Sequence, residues 1–257
     1  MKVIFNPVKT TLSNIIVITV TVMLIAHACA PTQPNSDQRL SPEVRAAIRN
    51  YQRQVDLKDG RYHVLIMTNM GDMVLKLYNE TPLHRDNFVA KIKSGFYDSL
   101  LFHRVINNFM IQGGDPTSKN AGTNTVGTGS APGDRIPAEF RTEQGIYHKR
   151  GALAAARDNN PEKASSNCQF YIVQRKPWRP TQLDSTIVQR NLILNDTQKK
   201  LYTTVGGTPH LDGGYTVFGE LELGFDVLDK IAATKTNKND RPENDVRMRM
   251  FLLNEIK

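Results

Sequence analysis

From Tyr62 onward the chain is patterned in short apolar runs separated by turn residues. YHVLIMTN (62–69) and DMVLKLY (72–78) are rich in branched apolar residues, and Met70-Gly71 between them predicts a hairpin. Further short strands are predicted at Leu101–Val105, Met110–Gln112, Ala138–Phe140, Gly151–Ala155, Gln169–Val173 and Thr216–Glu220, with a terminal strand at Val246–Leu253. Helical spacing shows in three places. Ser41-Pro42-Glu43 is a helix start, and Val44, Ala47, Ile48 and Tyr51 carry it to about Gln54. Thr81-Pro82 opens a helix to Lys93, ending at Gly95, with Phe88, Val89 and Ile92 on one face. Phe225–Ala233 sets Val227, Leu228 and Ile231 on one side. Many short strands, glycine-rich turns such as GGDPTSKNAGTNTVGTGSAPGD (113–134) and few helices predict a closed antiparallel β-barrel.

Two segments break this pattern. Lys176–Thr208 separates one strand from the next motif by a length unusual for a structureless loop. Asn195-Asp196 can cap a helix through Thr204, with Gly206 at its end, so 176–208 is predicted as a partly helical insertion. The N-terminus differs more. Lys2 and Lys9 precede an uncharged apolar run, IIVITVTVMLIA (15–26), which leads into Ala26-His27-Ala28-Cys29. This is the order of a secretory signal, and the run is shorter than the ~20 residues a spanning helix needs. Residues 1–28 are therefore expected to be removed. Small residues followed by Cys29 resemble a bacterial lipobox, in which the Cys is acylated, although His27 is larger than usual there. Ala26-His27-Ala28 also fits plain cleavage. Both readings cut before Cys29, and the lipid-anchored one is favoured because an ordinary signal needs no Cys at that place. Residues 29–60 then form the lipid-anchor Cys, a polar tether with two prolines and the short lead-in helix, and 61–257 the folded domain. The expected location is extracytoplasmic, at the bacterial cell envelope, anchored to membrane and facing the periplasm or the cell surface.

Composition narrows the chemistry. Two cysteines exclude a disulfide scaffold and any multi-cysteine metal site. Once Cys29 is acylated, Cys168 is left as a small buried apolar residue. The net charge of +8 falls to +6 when residues 1–28 are removed, since they hold two lysines and no acid. Lys235–Arg241 reads as a solvated basic loop, and no basic motif interleaved with aromatics points to a nucleic-acid partner. His63, His84, His148 and His210 lack metal-ligand spacing. Gly113-Gly114 lacks the Lys-Ser/Thr of a phosphate loop. No metal and no cofactor are expected.

The segment Phe102–Asp115, FHRVINNFMIQGGD, resembles the signature of cyclophilin-type peptidyl-prolyl cis–trans isomerases. The resemblance continues in family order at GALAAAR (151–157), NCQFYIV (167–173) and LDGGYTVFGE (211–220), and covers about 62–257. It implies a closed eight-stranded antiparallel barrel capped by two α-helices. It also implies proline-containing peptides and unfolded or folding proteins as partners.

The chemistry implied needs no nucleophile. An X-Pro bond rotates over a barrier of about 20 kcal/mol because amide resonance must break, and only interactions stronger in the twisted state accelerate the step. The family assigns the catalytic role to the residue matching Arg104. A guanidinium can donate to the proline nitrogen once twisting restores its lone pair. Phe109, Met110, Tyr171 and Leu211 match the proline pocket, Tyr171 with an added hydroxyl. Gln112 and Gln169 match residues that hold the peptide and orient the Arg. Ala156 and Arg157 match a peptide-binding edge, where the family commonly has Asn after the Ala. His210 stands where many members have the Trp tied to cyclosporin binding, and Tyr215 where many have His. His103 is predicted to face away from Arg104 as a structural residue. The expected function is acceleration of the folding of exported proteins. The alternative is a catalytically weak peptide-binding or chaperone module on the same fold.

Overall fold

The computed structural model describes residues 40–122 and 126–256, together with Lys2. The apolar run, Cys29 and the tether lie outside the described residues. None of the described helices is long and apolar enough to cross a membrane.

The first described element is α1 (Pro42–Gln52). The Ser41 hydroxyl accepts from the Val44 N–H at 3.4 Å, as an N-cap does. Val44 and Ile48 are buried on a cluster with Leu65, Val74, Phe251 and Leu253. Gln52 clasps the chain end by donating to the Leu253 and Ile256 carbonyls at 2.8 and 2.7 Å. The lead-in helix thus packs on the domain.

Eight strands follow: β1 (His63–Thr68), β2 (Gly71–Leu77), β3 (Phe102–Ile106), β4 (Met110–Gly113), β5 (Ala152–Ala155), β6 (Phe170–Val173), β7 (Val217–Leu223) and β8 (Met248–Leu252). All pairings are antiparallel, in the order β3-β4-β6-β5-β7-β2-β1-β8. The sheet curls, but β3 and β8 do not join in a ladder. Leu101 and Arg247 form an isolated bridge, while Val105 on β3 donates its N–H to the Asp240 carbonyl at 2.8 Å. The loop before β8 thus takes part of the edge that a closed barrel would pair with β8, and the architecture is an open, curled sheet rather than the closed barrel expected.

The interior is built from α2 (Pro82–Lys93), α5 (Phe225–Ala232) and the concave sheet face. Phe88 of α2 meets Phe170 at 5.5 Å and Phe218 at 5.3 Å, both edge-on. Burying such a ring contributes about 1.5–3 kcal/mol. Ala138–Phe140 is not a strand. Its Glu139 turns inward and accepts from the Leu83 and His84 N–H groups at the start of α2, where Thr81 makes no side-chain cap. A buried carboxylate at a helix N-terminus satisfies donors that a strand would leave open.

The 176–208 segment holds two helices, α3 (Pro180–Arg190) and α4 (Asp196–Thr204). The second carries a reciprocal capping box between Asn195 and Gln198. The first begins at Arg179-Pro180 without a side-chain cap, so it lacks the signal that marked the other. Trp178 secures the base of the insertion, donating Nε1–H to the Gly207 carbonyl at 2.8 Å under the Arg175 guanidinium.

Candidate active site

Strand register assembles the site. Arg104 stands opposite Gln112, Gln112 opposite Tyr171, Tyr171 opposite Ala154, and Ala154 opposite Val217. Since side chains alternate across a sheet, these residues share one face. Their neighbours Ile111, Phe170, Ile172, Leu153 and Ala155 point into the core. Phe102 and Val105 both face the core although three residues apart. The irregularity between Phe102 and Arg104 permits this, leaving His103 as the extra residue. The result exposes Arg104 and buries His103. Burial lowers the His103 pKa to about 4.

On that face lies a cavity of about 170 Å³ lined by Arg104, Phe109, Met110, Gln112, Ala156, Arg157, Tyr171, Leu211 and Tyr215. Met110 and Tyr171 are buried walls, and Tyr215 meets the Tyr171 ring edge-on at 6.0 Å. Arg157 is held over the Tyr215 ring at 4.6 Å, with Nε donating to the Gly214 carbonyl at 2.8 Å. Such a cation–π seat fixes the guanidinium at the rim. Gln169 is outside this lining. Its Oε1 accepts from Gln112 Nε2 at 3.0 Å, and its Nε2 donates to the Gly127 and Gly129 carbonyls. It therefore fixes the glycine-rich loop and orients Gln112. His210 also lies outside the lining, stacked on Phe109 with ring centroids 5.9 Å apart. Burial, with Arg190 nearby, lowers its pKa to about 4. A neighbouring cavity of about 420 Å³ extends from Gln112 and Ala156 along Gly127–Ala131, with the exposed Arg135–Asp158 ion pair at its rim.

Two polar residues absent from the expected site touch it, and a third supports one of them. Asp240 accepts from Arg104 Nε at 3.4 Å. Its loop, read from composition as solvated, is tied to β3 through the Val105 bond. His148 and Asp212 form a buried pair behind Tyr171, whose hydroxyl lies 3.1 Å from His148 Nε2. Asp212 directly follows the pocket residue Leu211, but nothing in the spacing links it to His148.

Residues 63–251 match the family described as cyclophilin type peptidyl-prolyl cis-trans isomerase/CLD. A Staphylococcus haemolyticus protein assigned as a peptidyl-prolyl cis-trans isomerase is 38% identical over 199 residues, covering 77% of this chain and 94% of that protein. A crystal structure of a cyclophilin type peptidyl-prolyl cis-trans isomerase from Cryptosporidium parvum aligns with TM-score 0.55 and 26% identity, covering 75% of this chain and 97% of that one. A second structure of that protein, obtained in the presence of the dipeptide Ala-Pro, aligns with TM-score 0.55 and 25% identity over 74% of this chain and 98% of that one. With the matched family spanning most of the curled sheet and every strand of the site, the chain belongs to the cyclophilin-type peptidyl-prolyl cis–trans isomerases.

Proposed function

We propose that a substrate prolyl ring enters the cavity between Phe109, Met110, Tyr171 and Leu211, and that Arg104 stabilises the twisted X-Pro amide. The cavity, about 170 Å³, has aromatic and thioether walls that suit a flat apolar ring. The relative studied with Ala-Pro supports a prolyl ligand. In the planar amide the nitrogen lone pair is delocalised and accepts poorly. Twisting localises it, and the guanidinium then gains a charge-assisted hydrogen bond that the ground state lacks. No bond is made or cleaved, so the step needs neither a nucleophile nor a metal.

The observation that carries this reading is Arg104 itself. It is a solvent-reaching guanidinium in a row with Gln112 and Tyr171, on the rim of an apolar pocket. Its Nε is engaged by Asp240, which leaves the Nη hydrogens for a ligand. Gln112 is held by Gln169 and offers polar contacts to the peptide flanking the proline. Arg157 at the rim favours acidic residues beside it.

A protease-coupled assay on an X-Pro peptide tests the proposal. Arg104→Ala should lower kcat/KM by roughly 10²–10³, the usual cost of removing one transition-state donor. Wild-type activity no higher than that of Arg104→Ala would leave a peptide-binding module instead. The proposal extends to location. The apolar run 15–26, with Cys29 three residues after it, supports a lipid-anchored enzyme outside the cytoplasm, where slow proline isomerisation delays the folding of exported chains. Cys29→Ser should release the protein from membranes; retention with an uncleaved N-terminus would overturn the anchor.

A further inference from the structure

The Tyr171 hydroxyl has no part in gripping a proline, yet it is well partnered. It sits 3.1 Å from His148 Nε2, and His148 Nδ1 sits 2.9 Å from Asp212 Oδ1. The other Asp212 oxygen accepts from the Tyr202 hydroxyl at 2.5 Å and from Gln198 Nε2 at 3.3 Å. Tyr202 and Gln198 both belong to α4 of the insertion, and both are buried. A continuous hydrogen-bonded path therefore runs from the pocket wall to the insertion.

The path has a direction. A carboxylate only accepts, so His148 Nδ1 carries the proton. In the neutral ring Nε2 is then an acceptor, and Tyr171 donates its hydroxyl hydrogen to it, away from the pocket. The His148 N–H also donates to Asp212 Oδ1 at 2.9 Å, which fixes the carboxylate against the backbone. Gln198 is doubly committed, since its Oε1 accepts from the Asn195 N–H in the capping box. Gly207 brings the insertion back onto this strip with φ +130°, and a Cβ there would lie 2.2 Å from the His148 carbonyl oxygen. The insertion is thus packed directly on the histidine that holds the pocket tyrosine.

We propose that helix α4 of the insertion positions the prolyl pocket. Tyr202, with Gln198, sets Asp212; Asp212 sets the His148 tautomer; His148 pins the Tyr171 ring. These are positioning residues, and the inference rests on the reading that Tyr171 lines the substrate pocket. A free phenyl ring flips and rocks, whereas a ring tethered through its para-hydroxyl presents one fixed wall. Its effect belongs to substrate binding, and hence to KM, while Arg104 acts on kcat.

The test is a double-mutant cycle with an X-Pro peptide, using Tyr202→Phe and Tyr171→Phe, each of which removes one hydroxyl and little volume. Tyr202→Phe alone should raise KM about threefold with kcat held within about 1.5-fold. On the Tyr171→Phe background the same change should shift KM by less than about 1.5-fold, because the path is already cut. An equal rise in KM on both backgrounds, or no rise in the single variant, overturns the proposal. ¹⁵N imidazole spectra of the wild-type protein give a second readout. A proton on His148 Nδ1 with none on Nε2 is expected, and a proton on Nε2 overturns the direction of the path without any variant. Tyr171→Ala separates the two layers of inference. If it leaves KM unchanged, the pocket reading fails and takes this one with it. If it raises KM while Tyr202→Phe does not, only the role of the insertion fails.

Discussion

His84 and His148 are built alike. Each ring is 1% exposed, and each presents Nδ1 to a carboxylate, Glu139 at 2.7 Å and Asp212 at 2.9 Å. Each also presents Nε2 to a hydroxyl, Ser165 at 3.0 Å and Tyr171 at 3.1 Å. They differ in what lies at the ends. Glu139 additionally caps α2 through the Leu83 and His84 N–H groups, and Ser165 is 1% exposed. Serine, histidine and glutamate there have the connectivity of a nucleophilic triad, but a nucleophile with no approach for substrate performs no chemistry. The His148 path begins at a residue lining the cavity proposed to take the prolyl ring and ends in a helix of the insertion. Connectivity does not separate a structural network from one joined to function. What separates them is whether either end reaches a place where a ligand can bind.

The largest effect that tests this contrast is on stability. Glu139→Ala removes two backbone caps and the partner of a buried imidazole together. Each buried donor left without a partner costs about 1–3 kcal/mol, so the three together cost several. In a chain of this size that lowers Tm by roughly 10 °C. The protein that remains folded should keep kcat/KM within about twofold, since ligand contacts are untouched. Calorimetry beside the isomerase assay checks both. A normal Tm with lost activity would erase the distinction between the two histidines.

Acid gives a smaller handle on the same interior. Burial lowers the His103 pKa to about 4 and also lowers that of His84. In the unfolded chain each histidine titrates near 6.5. Between those values the unfolded state binds the proton and the folded state does not, so stability is complete above about pH 6.5 and falls as the pH drops toward 4. For His103 alone the loss at pH 5 is about 2 kcal/mol. His103→Gln should therefore lose less Tm than wild type between pH 7 and pH 5. Equal acid sensitivity in the two proteins would place the titrating group elsewhere.

What the sequence made legible follows from the range of its signals. The β-rich apolar runs over 62–78 and the apolar faces of α2 and α5 are local, and the elements stand where those patterns predict them. The FHRVINNFMIQGGD string and the later blocks hold the nine residues that line one cavity; strand pairing aligns Arg104, Met110, Gln112 and Tyr171, and the other five stand on segments that flank strands. At Ala138–Phe140 the pattern predicts a strand and the structure has a helix cap, because three apolar-flanked residues look alike in either role. Helix α3 has Pro180 at its first turn but no capping side chain, so its start lacks the Asn195-Asp196 type of signal that marks α4. His148 and Asp212 are 64 residues apart, and their pairing exists only after the insertion folds back. Closure of the barrel depended on whether the last loop would occupy the edge of β3, which the hydrophobic pattern does not encode.

That same loop supplies the smallest predicted effect. Asp240 reaches Arg104 Nε at 3.4 Å, with both side chains more than 40% exposed, and holds a left-handed φ of +60° while its carbonyl receives the Val105 N–H. Water screens such a pair, so its strength is a fraction of that of a buried one. Its influence lies in geometry: a guanidinium held at Nε turns its Nη groups in a chosen direction. Asp240→Ala should lower kcat by about two- to fivefold, leave KM within about 1.5-fold and lower Tm by a few degrees at most, the cost of placing Ala at a left-handed φ. Asp240→Asn keeps an acceptor oxygen and should restore most of the loss. The contrast with Tyr202→Phe is then complete, because one support acts on the donor and appears in kcat, and the other acts on the wall and appears in KM. If Asp240→Ala raises KM instead, the loop touches the peptide rather than the arginine.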